Sequence, residues 1–195
     1  AAPVSDHALT TEFVKGPLYA WFEPSQSWVS SQNQHVWPTW EFIHHSDNFQ
    51  RVRGYLIAPD FAQGDNPTLE FSGILNQGSF DVTLQRKGNQ QDPYYGFNLI
   101  GNPYPSAIDW KAPAWDRSEL VQSDGGTSFW VWDATAGSGN YGTYHSQAIG
   151  DQGTLGVSRH IAPMQAFWVR AAHDGARIRF NDNVRTHAPQ AWLKT

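Results

Sequence analysis

Apolar and polar positions along this chain alternate in short runs closed by breakers. Leu18-Tyr19-Ala20-Trp21-Phe22 stops at Glu23-Pro24-Ser25, and Trp28-Val29-Ser30 opens the next run. Val52 to Ile57 ends at Pro59, and Thr68 to Ser72 alternates before Gly73. Phe80 to Gln85 alternates with the two-residue period of a half-buried strand, and so does Arg177-Ile178-Arg179-Phe180. Phe97 to Ile100, Thr127 to Trp132, Tyr141 to His145 and Met164 to Ala171 complete the set. Ser118 to Val121 is the one segment read as a helical turn. No window holds a helical apolar period, so the pattern predicts about ten short strands joined by Gly, Pro, Asn and Asp turns. That is an all-β chain, read as a β-sandwich with jelly-roll or Greek-key connections and long aromatic-rich loops. No composition shift marks a boundary, so residues 1–195 read as one domain.

The densest run of signals is Gly96 to Trp110. A short apolar strand meets three breakers, Gly101-Asn102-Pro103, and Tyr104-Pro105 keeps the backbone extended. Ser106 and Asp109 suit local side-chain bonds to backbone N–H groups. No nucleophile, base and metal ligand stand together there. The reading is therefore structural: Asn98, Gly101, Asn102, Pro103, Asp109 and Trp110 shape and anchor a loop. Asn102 is expected to bond backbone across the turn and Trp110 to be mostly buried.

Composition narrows the setting. Charged residues are only 16% of the chain and the formal net charge is −5, with no Lys/Arg run. This argues against nucleic acid and anionic membranes as partners. No apolar run approaches membrane-spanning length. Cysteine is absent, which excludes disulfides, thiolate metal sites and cysteine nucleophiles. A polar, Trp-rich, Cys-free chain leans towards an exported bacterial protein.

Several motifs, in this order, carry a resemblance. Phe71-Ser72-Gly73-Ile74-Leu75-Asn76-Gln77-Gly78 resembles an F-x-G-x-L-N-x-G element, and Gly96 to Trp110 resembles G-W-N-L-I-G-N-P-Y-P-S-x-I-D-W with Phe97 in place of Trp. Phe129 to Asp133 with Tyr141 and Tyr144 is similar to a Y-V-W-D…Y…Y hairpin. Ile161 to Val169 resembles I-x-P-M-Q-A-F-F-V, and Asn183 to His187 resembles N-x-x-R-x-H. The family so resembled is the β-rich ectodomain of large secreted or surface proteins of Bacteroidetes-type bacteria, exported by the type IX route. The resemblance spans roughly residues 50–195. It implies an extracellular or cell-surface location and no assigned catalytic residues. It also leaves room for the chain to be a fragment of a larger multidomain protein.

Candidate chemistry rests on the aromatics. Ten Trp residues are present. Those in strands, such as Trp130, Trp132 and Trp168, read as core packing. Trp37, Trp40 and Trp115 sit in polar, Pro-containing segments and are the candidate ligand-binding set, suited to stacking on sugar rings. His35, His44 and His145 could assemble a metal site only by tertiary chance, since no H-x-H or H-E-x-x-H spacing occurs. Glu23 and Glu41 are the nearest thing to a glycosidase pair. Loops at 60–66, 124–126 and 133–140 could offer oxygens to calcium; no other cofactor is indicated. Ser106 lacks the G-x-S-x-G setting of a nucleophile.

The leading reading is a non-catalytic extracellular interaction or adhesion module binding a glycan or a neighbouring protein domain through aromatics. A structural subunit or spacer that self-associates is the alternative, and a glycan-active hydrolase is the third reading.

Overall fold

A computed structural model describes residues 18–25, 27–30, 49–57, 73–133 and 139–188. Among the described residues the fold is all-β, and every strand pairing is antiparallel. The strands are β1 (Leu18–Phe22), β2 (Ser27–Ser30), β3 (Tyr55–Ile57), β4 (Phe80–Thr83), β5 (Phe97–Gly101) and β6 (Ala107–Asp109). They continue as β7 (Ser128–Asp133), β8 (Asn140–His145), β9 (His160–Ile161), β10 (Ala166–Arg170), β11 (Arg177–Phe180) and β12 (Arg185–Thr186). The central sheet runs β5-β10-β7-β8, flanked by the sheets β2-β1-β3, β11-β4 and β12-β6-β9. Residues 52–54 extend alongside β5, where the Gly54 N–H donates to Leu99 O at 3.0 Å and the Gly101 N–H to Val52 O at 2.7 Å.

Strand alternation decides what is inside. On the central sheet, Phe129, Val131, Tyr144, Phe167 and Val169 are buried on one face. Against them packs Trp110, fully buried, with ring centroids 5.0 Å from Phe129, 5.1 Å from Trp115 and 6.1 Å from Phe167. Ile178 and Phe180 of β11 join the same cluster, Phe180 meeting Trp115 at 4.8 Å. Burying each such ring removes a large apolar area from water and contributes roughly 1.5–3 kcal/mol.

The turn after β5 is organised by Asn102, which is wholly buried. Its amide group donates to Ser106 O at 2.8 Å, Ala162 O at 3.0 Å and Ile161 O at 3.2 Å, and its Oδ1 accepts the Tyr104 N–H at 2.9 Å. One side chain thereby bonds four backbone groups of this irregular stretch, one of which, Ala162 O, also accepts the Gln165 N–H at 3.2 Å. Asp109, at the end of β6, accepts the Lys111 N–H and is gripped by Nε and a terminal nitrogen of Arg159. Arg159 also bonds Asp151 at 3.0 Å.

Three expectations from the sequence need correcting. Ser118 to Val121 forms no helix; Leu120 instead bridges to Ala171 and is buried. Trp130 and Trp132 are only partly buried, because their face of β7 points away from Trp110. Trp115 is buried rather than displayed: it packs between Trp110 and Phe180 and its Nε1 donates to Asp109 O at 2.6 Å. Its Pro-containing segment folds back onto the core, so its ring is not available to a ligand.

Candidate functional site: an aromatic outer face

The face of the central sheet opposite Trp110 is built by strand parity. Residues paired across antiparallel strands share a face. The registers Trp168↔Leu99, Arg170↔Phe97, Trp168↔Trp130, Trp130↔Thr143 and Trp132↔Tyr141 place Phe97, Leu99, Arg170, Trp168, Trp130, Trp132, Thr143 and Tyr141 together. The sequence puts aromatics on both parities of β7, so both faces of one sheet carry rings.

These rings interlock edge to face. Phe97 meets Trp130 at 5.0 Å and 68°, and Trp132 meets Tyr141 at 4.9 Å and 66°. Tyr141 meets Trp168 at 6.3 Å and 83°. Trp21 of β1 reaches over from the flanking sheet to within 5.0 Å of Trp168 and donates its Nε1 proton to Phe97 O at 2.7 Å. Tyr94 closes the set, 6.2 Å from Trp21. Each such contact adds about 0.5–1.5 kcal/mol beyond area burial and fixes the ring orientation. At Gly139 a side chain would overlap the Trp132 indole, so the loop entering β8 can lie against that ring only with glycine there.

Exposure grades across the face. Trp168 is buried at its centre, Phe97, Trp130 and Trp132 are half-buried, and Tyr141 and Tyr94 are 40% and 54% exposed. Burial, and secondarily the neighbouring Tyr94, raise the Tyr141 hydroxyl above its ordinary pKa, so it stays a neutral donor and acceptor. Arg170 borders the face. Its Nε donates to Tyr95 O at 2.9 Å and its guanidinium carbon lies 5.3 Å from the Phe97 ring centre.

The residues that the sequence singles out lie elsewhere. Trp37 and Trp40 lie outside the described residues, as do His35, His44 and Glu41. Of the outer rings, the sequence reads the strand residues Trp130, Trp132 and Trp168 as core, although Trp130 and Trp132 standing two apart is a signal of a shared face. Glu23, the other half of the carboxylate pair, is buried. Its carboxylate accepts N–H groups of Lys87 at 2.7 Å and Gly96 at 2.8 Å, with Gly88 at 3.5 Å. Its oxygens are thus committed to backbone rather than aimed at a cleft. Among the described residues no group of three His, Asp or Glu side chains could hold a metal ion. Among them, too, no helix is long and apolar enough to cross a membrane.

A family model described as a domain of unknown function (DUF8693) matches residues 2–194. The chain belongs to this family. No curated protein and no solved structure matches it. The aromatic outer face is therefore weighed on its own chemistry.

Proposed function

We propose that this domain is a non-catalytic extracellular interaction and adhesion module, and that it binds a glycan on the aromatic outer face of its central sheet. The observation that carries the reading is the exposure of Tyr141 and Tyr94 beside half-buried Trp130, Trp132 and Phe97. Aromatic faces suit the C–H faces of sugar rings, and the two phenolic hydroxyls can bond sugar hydroxyls. Rings locked edge to face lose little conformational entropy on binding. The reading keeps Trp37 and Trp40 as sequence-based contributors. The motif resemblance supports a secreted, type IX exported protein of Bacteroidetes-type bacteria with β-sandwich layering. Calcium in the Asp-rich loops remains part of the proposal.

A second reading has its own support. Ile149 is fully exposed and Leu155 is 44% exposed, both in the loop beyond β8. Apolar side chains displayed there suit a spacer or structural subunit that packs on a neighbouring domain or copy.

Glycan-array screening of the wild-type domain against Trp132→Ala and Tyr141→Ala separates the readings. Loss of a wild-type glycan signal in both variants, with each variant still melting cooperatively above the assay temperature, supports the outer-face site. Equal retention by all three proteins overturns it.

A further inference from the structure

We infer that the outer face selects an anionic sugar, a hexuronate residue whose carboxylate pairs with Arg170. This rests on the reading of the face as a glycan site and adds its charge preference. The outward positions of the four strands are Phe97 and Leu99 of β5, Ala166, Trp168 and Arg170 of β10, Ser128, Trp130 and Trp132 of β7, and Tyr141, Thr143 and His145 of β8. None is a carboxylate. Arg170 is the only Lys or Arg among them, on a chain whose net charge is −5.

Arg170 joins an outer-face position to a guanidinium with no carboxylate partner among the described residues. Three other arginines are held by carboxylates: Arg159 by Asp109 and Asp151, Arg179 by Asp116 and Asp81, and Arg185 by Asp182; Arg117 is buried against Trp110, away from the outer face. Arg170 makes one bond, through Nε to Tyr95 O, and has no carboxylate partner among the described residues. That bond and the Phe97 ring beneath it fix the guanidinium while leaving its terminal nitrogens as an open fork. A planar fork held in this way matches a carboxylate bidentately. Half-buried Trp130, its ring centre 5.0 Å from that of Phe97, lies beside this pair to take the sugar ring. The nearest acidic residue in sequence to the rim tyrosines, Asp92, has its carboxylate on the Tyr94 N–H at 2.8 Å.

Titration calorimetry tests this with tetramers of galacturonate, mannuronate and glucuronate against neutral cellotetraose, on the wild type, Arg170→Gln and Arg170→Lys. The expected result is that at least one uronate oligomer binds the wild type more tightly than cellotetraose and weakens with added salt. Arg170→Gln should weaken that uronate roughly ten- to hundredfold while leaving neutral binding in place, with Arg170→Lys between. If cellotetraose binds as tightly as every uronate, or Arg170→Gln binds uronates as the wild type does, the charge preference is overturned and the glycan site stands. If no oligosaccharide binds a wild-type domain that melts cooperatively, the glycan reading and this inference fall together.

Discussion

Trp168 stands directly across from Trp130 on the outer face, while its sequence neighbour Phe167 faces inward onto Trp110. One strand therefore supplies an indole to a surface and a phenyl to a core. The two faces should respond differently to truncation. Trp110→Ala removes a ring that is fully enclosed and should cost about 3–5 kcal/mol in urea unfolding. Trp130→Ala, half-buried, should cost about 1–2 kcal/mol, because solvent can fill part of the space left. Equal losses would mean that the outer rings are core after all.

Glu23 ties two distant loops together. Its carboxylate holds the N–H groups of Lys87 and Gly96, and Gly96 adopts φ +81°, which glycine accepts without strain. Glu23→Gln keeps one acceptor oxygen but loses the charge, and should cost about 1.5–3 kcal/mol. Hydrogen exchange reads the local effect: the Lys87 and Gly96 amides should exchange faster than the β10 amides. Unchanged protection at Gly96 would refute the clamp.

Much of the architecture was legible in local pattern. The turn at Gly101-Asn102-Pro103 follows from three consecutive breakers, β4 and β11 from two-residue alternation, and the other longer strands from short apolar runs closed by breakers. What was not legible depends on partners far along the chain. Trp115 looks like a loop aromatic until Phe180 arrives to cover it. Both parities of β7 are apolar, Phe129 and Val131 on one side and Trp130 and Trp132 on the other, so period two cannot say which points inward. β9 and β12, at two residues each, are too short for any period to register. The role of Glu23 was invisible because its donors are backbone N–H groups.

Asn102 offers a sharper test of the turn. Asn102→Ala takes a donor from three carbonyls, of which Ala162 O keeps the Gln165 N–H, and strips the Tyr104 N–H of its side-chain acceptor in a buried site; it should cost about 2–4 kcal/mol. Asn102→Asp is almost isosteric but turns the donor into a carboxylate facing those three carbonyl oxygens. At pH 7 it should be at least as unstable as the alanine variant by denaturant midpoint. An Asp variant as stable as the wild type would contradict the assigned orientation of the amide.

Asp109 should make stability pH-dependent in the acid range. Burial alone would raise its pKa, but the hydrogen bonds from Arg159 and the Lys111 N–H, with the Arg159 charge, bring it below the ordinary value. A carboxyl depressed in the folded state binds its proton more readily when unfolded. Its contribution is thus present above the unfolded value of about 3.9 and is lost as pH falls through the lower folded value. The stability gap between wild type and Asp109→Asn should be constant from pH 5 to 8 and shrink below about pH 4. A gap that persists unchanged at pH 2.5 would sink the assignment.

Arg117 presents the opposite case, a cation that the core tolerates. Its guanidinium lies 4.6 Å from the Trp110 ring centre and 5.8 Å from that of Trp115, yet one terminal nitrogen is buried with no hydrogen-bond partner. Burial pushes its pKa down to about 10, against a smaller upward pull from Asp109. Stacking on indole contributes about 0.5–2 kcal/mol, while an unsatisfied buried donor costs about 1–3 kcal/mol. The two nearly cancel, so the shape of the side chain should matter more than its charge. Arg117→Met keeps the apolar stem over Trp110 and removes the orphaned donor; it should leave the unfolding midpoint unchanged or raise it. Arg117→Ala uncovers Trp110 and should lower the midpoint. If methionine destabilises as much as alanine, the guanidinium charge over the indole is what holds this corner, and the two contributions do not cancel.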